Sequence, residues 1–517
     1  MKSCYGHYHA LRRETEAWLD QSRRMDPPSR HGGGEDEANY SLTWFPHYLI
    51  TGSEAARTHF EHLRDLLAGW VDRDCIHGYE PEAEAHHGTE PFLLFLPRHL
   101  GLFPDDGKAR DLLEDAAHHI GNWVPEIPAW YDWDRDRFCG FRLATRDVEE
   151  NPAAVVELAE HFRFLHIALA AHRVTGEDQY VEWALRYGRR RAKMLVEIPD
   201  GPLPLMWGPN EEPLWEGDMT EAQERVSAKT MHVPGDPLMG VEVLLASGAI
   251  YALGDLFLAS GDKVFQEAAR RIAEPLVPEL HDPYGDPAAA AVEYYLQTFD
   301  DRSMDEDVRK RVEDMPPEDK GELMMMFPEK PRRVLRGVGK RADMIWWGIL
   351  ADAETRQVRG VREPSTAALA LAYHVTGDAD FARRAFKQAV GRLRIARRVL
   401  RGGREHADMG GAVCSVAAGH GRNWGWGSVT GCYGPLVLGT REIKSAVRPT
   451  VEVRRGGGEI GLPEEVLSLV TPAGPSDGGV RFYNGGEAEV DFQWRPEGGE
   501  WTSISIRPGK EEHHKLA

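Results

Sequence analysis

Cysteine is scarce in this chain of 517 residues. Cys4, Cys75, Cys139, Cys414 and Cys432 are odd in number and show no CxxC spacing, which argues against a disulfide framework and for a reducing compartment. Long apolar runs are missing too: none approaches the ~20 residues that cross a bilayer, so no membrane partner is expected. The stretch Met1-Lys-Ser-Cys-Tyr-Gly-His-Tyr-His9 lacks the apolar core of a secretory signal, and a cytosolic protein is the expectation. Positive charge is in deficit. With 62 Lys and Arg against 83 Asp and Glu the net charge is −21, a field that repels a phosphate backbone and argues against nucleic acid as partner. There is no HExxH motif, and Gly337-Val-Gly339 is too slight for a nucleotide site. No cofactor is expected.

What is present is a recurring punctuation mark. Ile50-Thr-Gly-Ser-Glu54, Val174-Thr-Gly-Glu-Asp178, Leu258-Ala-Ser-Gly-Asp262 and Val375-Thr-Gly-Asp-Ala379 each close an apolar helical run and open the next helix. Glycine supplies the left-handed C′ position, and Ser, Asp or Glu starts the following helix. Before one mark Leu158, Phe162, Leu165 and Leu169 form one apolar face; after it Tyr180, Ala184 and Tyr187 form another. Each mark is thus the tight turn of a helical hairpin. Less regular pairs are expected over Glu90–Leu100 with Ala109–Ile120 and over Ala288–Phe299 with Met304–Asp314. A helix around Met344–Glu354 and the stretch Gly410–Leu438 bring the total to six or seven pairs. The spacing is too irregular for a tetratricopeptide or ankyrin array.

The connections at the other end are long. Gly121–Asn151, Glu197–Asp236 and Gly402–Tyr433 hold seven of the chain's 15 Trp, namely Trp123, Trp130, Trp133, Trp207, Trp215, Trp424 and Trp426. Long aromatic loops in a folded domain point to function rather than disorder. Beyond about Ala446 the period changes to two: Val451, Val453, Phe482, Val490, Phe492, Trp494, Ile504 and Ile506 alternate with polar residues, with an Asn484-Gly485 turn among them. Four or five short strands are expected there. The division is therefore residues 1–445 as a helical catalytic domain and 446–517 as a small C-terminal β-sheet or sandwich.

Helical hairpins with T-G-D-type turns, aromatic loops at one end and a short β-domain resemble the (α/α) toroid carbohydrate-active enzymes, among them polysaccharide lyases and glycoside hydrolases. The likeness covers roughly the first 440 residues as architecture, not as a motif. It implies a mainly α fold, an (α/α)6 or (α/α)7 toroid, with an oligosaccharide as substrate.

Candidate chemistry follows from residue types in the loops. His77-Gly-Tyr-Glu80 leads into His86-His87-Gly-Thr-Glu90-Pro91, where Thr89 can cap the helix that Pro91 begins. His87 is a candidate general base and His86 a substrate contact, with Glu90 at the mouth; the plain alternative is a polar loop with incidental histidines. Zinc on His86, His87 and Glu90 is the weaker reading, and no metal is assigned. Trp130-Tyr131-Asp132-Trp133 offers faces for sugar rings and an acid for hydroxyls, and Tyr131 would serve as a proton shuttle if Arg142 lowered its pKa. The alternative is a loop packed down by its own aromatics. Trp207, Asn210 and His232 follow, with Asp236 more simply a helix cap. Arg422 and Trp424, among glycines, would form a cleft wall.

A lyase on uronates needs a group to neutralise the carboxylate and a Tyr or His to take the C5 proton; His87, His232, Tyr131, Arg142 and Asn210 supply these. A hydrolase needs two carboxylates, and Glu90, Asp132, Asp218, Asp236 and Glu363 are available. The clustering of His, Tyr and Arg in the loops favours the lyase. A non-catalytic helical-repeat binding protein is the reading from outside enzymology; it would repeat one surface motif instead of varying each loop.

Overall fold

The computed structural model describes residues 1–24, 35–120, 130–143, 146–148, 151, 154–230, 232, 234–299, 301–326, 346–399, 413–414, 416–419, 426–443, 446–472 and 478–516. Its helices in chain order are α1 (Lys2–Ser22), α2 (Glu35–Ser41), α3 (Trp44–Thr51), α4 (Glu54–Asp74), α5 (Ala85–Gly88), α6 (Leu96–Leu102), α7 (Gly107–His118), α8 (Phe162–Thr175) and α9 (Asp178–Val196). There follow α10 (Glu221–Ser227), α11 (Gly240–Ala246), α12 (Ala249–Ser260), α13 (Lys263–Ala273), α14 (Asp286–Thr298), α15 (Asp305–Glu313), α16 (Thr366–Thr376), α17 (Ala379–Val399) and α18 (Tyr433–Leu438).

The four punctuation marks behave as the sequence implies. Gly52, Gly176, Gly261 and Gly377 end α3, α8, α12 and α16 with φ of 63°, 78°, 70° and 71°. The next helix is capped where a suitable side chain stands: Ser53 accepts from the Ala56 amide and Asp262 from the Val264 amide. Burial separates two kinds of helix. Every residue from Phe162 to Ala171 in α8 and from Thr366 to Val375 in α16 is buried, whereas α13 buries only the stripe Phe265, Ala268, Ala269, Ile272 and Ala273. The first kind has neighbours on all sides; the second shows one face to solvent.

Following the packing, the inner segments run α3, Pro91–Leu102, α8, α12, α14, α16 and α18, and α18 returns to α3. Outside them stand α4, α7, α9, α13, the Glu274–His281 turn with α15, α17 and α1, and α1 packs on α17. Among the described residues these make seven inner and seven outer positions, closed by pairing the first helix with the last inner one. Tyr8 of α1 lies 6.4 Å from Tyr433 of α18, ring to ring. The fold is a mainly helical (α/α) toroid.

Strands β1 (Tyr131–Asp132), β2 (Arg137–Phe138), β3 (Glu157–Leu158), β4 (Met206–Trp207) and β5 (Pro213–Leu214) lie in the long loops. β6 (Glu322–Met326), β7 (Trp346–Asp352) and β8 (Gln357–Gly360) form an antiparallel sheet in the order β6-β7-β8, with β6 against α17. The helix expected around Met344–Glu354 is thus a strand where it is described. The hairpin β9 (Arg441–Ile443) and β10 (Ala446–Arg448) rests on α12 and α6. Then come β11 (Val451–Arg455), β12 (Val466–Thr471), β13 (Gly479–Asn484), β14 (Val490–Pro496), β15 (Thr502–Ile506) and β16 (Glu511–Lys515). They make two antiparallel three-stranded sheets, β11-β14-β15 and β12-β13-β16, joined through Phe482 against Phe492 and Trp494.

This sandwich sits on the tight-turn end. The Leu462 amide donates to the Ile50 carbonyl at 2.8 Å, and β12 packs on α18 and α16. The described parts of the long loops lie at the opposite end, where the inner helices begin.

Candidate active site at the loop-bearing end

Three of the long connections build one continuous wall. Residues 75–90 join residues 130–146 through the Leu143 amide on the Ala83 carbonyl at 2.8 Å, a bridge between Glu84 and Arg142, and the Arg146 amide on Glu82 at 3.0 Å. The sheet β3-β4-β5 then ties Glu157–Leu158 to the 206–214 hairpin. A small second core of Phe141, Val156, Leu158, Met206, Leu214 and Val226 fills the space between them.

Behind this wall the inner helices begin with buried acids. Glu90 is 3% exposed and ion-paired to Arg163 at the start of α8; Arg163 reaches on to the Ala246 carbonyl of α11 at 3.4 Å. Glu242 of α11 is buried. Asp286 opens α14, and its Oδ1 accepts from the Thr366 hydroxyl and the Ala367 amide, each at 2.8 Å, so it also caps α16. A Cβ on Gly431 would come within 2.9 Å of Oδ1, so glycine lets the start of α18 close over it. Burial raises the Asp286 pKa, against lowering by Arg392 and the two hydrogen bonds, and Asp282 one turn earlier raises it further. A carboxyl held towards its protonated form is what a general acid requires.

His232 forms a second constellation in the wall. Its Nδ1 shares a 2.9 Å hydrogen bond with the Ser227 hydroxyl, and its Nε2 lies 2.6 Å from Glu216 Oε1. Glu216 is held in turn by the Gly235 amide at 2.8 and 3.0 Å. A carboxylate only accepts, so Nε2 carries the proton and Nδ1 accepts from Ser227. The three side chains line a pocket of about 310 Å³ with Gly217, Met219 and Glu224.

The other sequence-derived candidates fall elsewhere. Tyr131 is buried edge-on against Trp183 and Tyr187 of the outer helix α9, and its hydroxyl donates to Asp136 at 3.0 Å. Burial, with Asp136 adding, pushes the phenol pKa up, the opposite of what a proton shuttle needs. Arg142 is exposed, with its guanidinium 5.3 Å from the Phe141 ring, and does not lower it. Trp130 packs edge-on to Tyr79 and Phe164, and Trp207 lies under the buried Arg191 guanidinium at 5.0 Å. Both indoles are core. Asp132 accepts from the amides of its own turn, Asp134 and Arg135. Asn210 and Asp218 are exposed, Asn210 on a turn beside the Arg190–Glu211 ion pair. Asp236 takes the Leu238 amide ahead of α11, a capping geometry. Glu363 is ion-paired with Arg384 at 2.7 Å. Thr89 does not cap: its hydroxyl donates back to the Ala85 carbonyl. The side chains of His86 and His87, and all of Arg422 and Trp424, lie outside the described residues.

No family model matches the chain, and no curated protein matches it in sequence. Solved structures similar to it include an unsaturated glucuronyl hydrolase from Bacillus sp. GL1, at 14% identity and TM-score 0.41 over 61% of this chain and 85% of that one. Another is an α-1,2-mannosidase from Trichoderma reesei, at 12% identity and TM-score 0.43 over 90% and 96%. At that distance no residue's role passes to this chain, and the site rests on its own geometry.

Of the residues singled out from the sequence, Glu90 and His232 lie at this end; Glu242, Asp282 and Asp286 were not among them. A signal did exist for the last: Gly285-Asp286-Pro287 is a helix start with Pro in its first turn. Nothing local distinguishes it from an ordinary cap.

Proposed function

We propose that this chain is a carbohydrate-active enzyme that hydrolyses a glycosidic bond at the loop-bearing end of the toroid. The observation that carries this is Asp286, a buried carboxyl whose pKa is raised, at the mouth of an inner helix with further carboxylates on neighbouring segments. Glycoside hydrolysis needs one carboxyl that gives a proton to the leaving oxygen and a second that activates water or attacks the sugar. Asp286 takes the first role. Glu242, on α11 packed against α14, and Asp282 are the candidates for the second, while Glu90 positions Arg163.

Asp286→Asn keeps the bonds to Thr366 and Ala367 but cannot donate the proton. On a panel of aryl glycosides and short uronate-containing oligosaccharides, kcat should fall by about 10²–10⁴-fold, with no loss of melting temperature against wild type. An Asp286→Asn enzyme as active as wild type would remove Asp286 from the mechanism.

A second reading is favoured by His232. With Nε2–H held by Glu216, His232 has its lone pair on Nδ1, where a substrate that displaces the Ser227 hydroxyl would meet a suitable base for β-elimination from a uronate. Products separate the two: hydrolysis yields saturated sugars, and elimination yields ultraviolet absorbance from a C4–C5 double bond that His232→Ala abolishes.

A further inference from the structure

On the outer rim of the same end, a cluster that the hydrolytic reading does not use brings together His77, Asp115 and His119. Asp115 and His119 stand one turn apart at the C-terminal end of α7, and His77 descends on them from the tight turn Ile76–Tyr79. One nitrogen from each imidazole and one Asp115 oxygen all lie within 4.8 Å of one another. Nδ1 of His77 is 3.2 Å from Asp115 Oδ1, close to the edge of a first-row coordination polyhedron with ligand distances of about 2.0–2.2 Å.

One further observation points to a ligand, and a second shows that the loop carrying His77 is fixed in place. His119 is 5% exposed, and its Nδ1 lies 2.6 Å from the Asp115 carbonyl, to which it must donate. The lone pair is therefore on Nε2, which is buried with no hydrogen-bond partner. A ring N–H fixed on a backbone carbonyl with the other nitrogen bare is how metal-ligating histidines are held. The second is the backbone of His77, at φ 50°, a left-handed conformation that a non-glycine residue adopts only where the surroundings impose it. Here they do. A Cβ on Gly78 would meet Ala116 Cβ and the Phe92 ring at 3.0 Å, and the Tyr79 hydroxyl donates to the Ala116 carbonyl at 2.8 Å. The turn is pressed onto α7, and the His77 ring is stacked on His119, 3.5 Å between centroids and 6° from parallel.

We propose that His77, Asp115 and His119 bind one divalent transition-metal ion of the zinc class. Two imidazoles and a carboxylate are the donor set that suits such ions over calcium or magnesium. His77 and Asp115 are 35% and 43% exposed, which leaves room for water in the remaining positions. The parallel rings have to splay for both lone pairs to meet one ion, and the half-exposed His77 is the ring free to turn. Bound there, the ion ties residues 75–90, the loop that ends at Glu90, to α7.

The test uses the full chain, stripped with chelator and titrated with Zn²⁺ by calorimetry and with Co²⁺ by visible absorption. One ion per chain is expected, with a rise in melting temperature. His77→Ala and Asp115→Asn should each weaken binding at least about tenfold, as loss of a ligand or its support does. His119→Ala is the less useful variant because the side chain is buried. Failure of wild type to bind either ion, or equal stoichiometry and affinity in wild type, His77→Ala and Asp115→Asn, would overturn the proposal. Neither result bears on the hydrolytic reading, which rests on Asp286.

Discussion

Asp286 shows how one side chain serves both packing and chemistry. It caps α16 from the first turn of α14, and burial with Asp282 one turn away disfavours its charge. Its folded pKa lies above the unfolded value of about 3.9. The stability it contributes is therefore whole below that pH and is lost as pH rises through the folded pKa. Asp286→Asn cannot ionise. Its melting temperature relative to wild type should therefore rise between pH 4 and pH 8, measured by calorimetry at matched ionic strength. A constant difference across that range would show that the carboxyl is not held neutral. The same titration bounds activity on the alkaline side, since a general acid must enter the reaction protonated. Tyr131 illustrates the opposite case, since its ring completes a core with Trp183 and Tyr187 and its hydroxyl is held by a carboxylate.

At the scale of the element, identical turn chemistry has unequal consequences. Gly176 and Gly52 both close an inner helix in the left-handed region, yet a Cβ on Gly176 meets nothing within 4 Å. On Gly52 it would lie 2.2 Å from the Ile460 carbonyl and 2.9 Å from the Arg455 guanidinium. Gly176→Ala should cost only the left-handed backbone penalty, about 1–2 kcal/mol. Gly52→Ala should cost a further ~1–3 kcal/mol of overpacking and loosen the sandwich from α3. Urea denaturation of the two variants side by side measures the difference, and equal losses would mean that the sandwich yields freely at that contact. The strand β7 belongs to this scale too. Trp346-Trp-Gly-Ile-Leu350 is a short apolar run whose period is ambiguous between strand and helix, and pairing with β6 and β8 decided it.

For the whole molecule, the decisive contact is the return of α1 to α17 and α18, which turns a row of hairpins into a ring. Tyr8 of α1 is fully buried against Phe386 of α17 and Tyr433 of α18, at 5.9 and 6.4 Å between centroids. Tyr8→Ala should cost about 3–5 kcal/mol, read by chemical denaturation, because the cavity opens at the seam. A loss under about 1 kcal/mol, the scale of a surface substitution, would show that closure does not depend on α1. With the seam closed and the sandwich over the tight turns, the inner helices open only towards the long loops.

The sequence by itself determined the hairpins at the four glycine turns and the antiparallel strands near the C-terminal end. Those features are local: a left-handed glycine, a capping side chain and a period of 3.6 or two are set by neighbours within a few residues. Which loop residues face a ligand was decided by the tertiary structure alone. Trp130 and Trp207 had the composition of sugar platforms, but Phe164 of α8 and Arg191 of α9 cover them. In the linear chain Asp286 is only the first residue of a helix; Thr366, Gly431 and Asp282 surround it in the fold. A site made of single residues from separate helices carries no spacing that a linear chain displays, because burial and charge at each position are set by groups up to a hundred or more residues away.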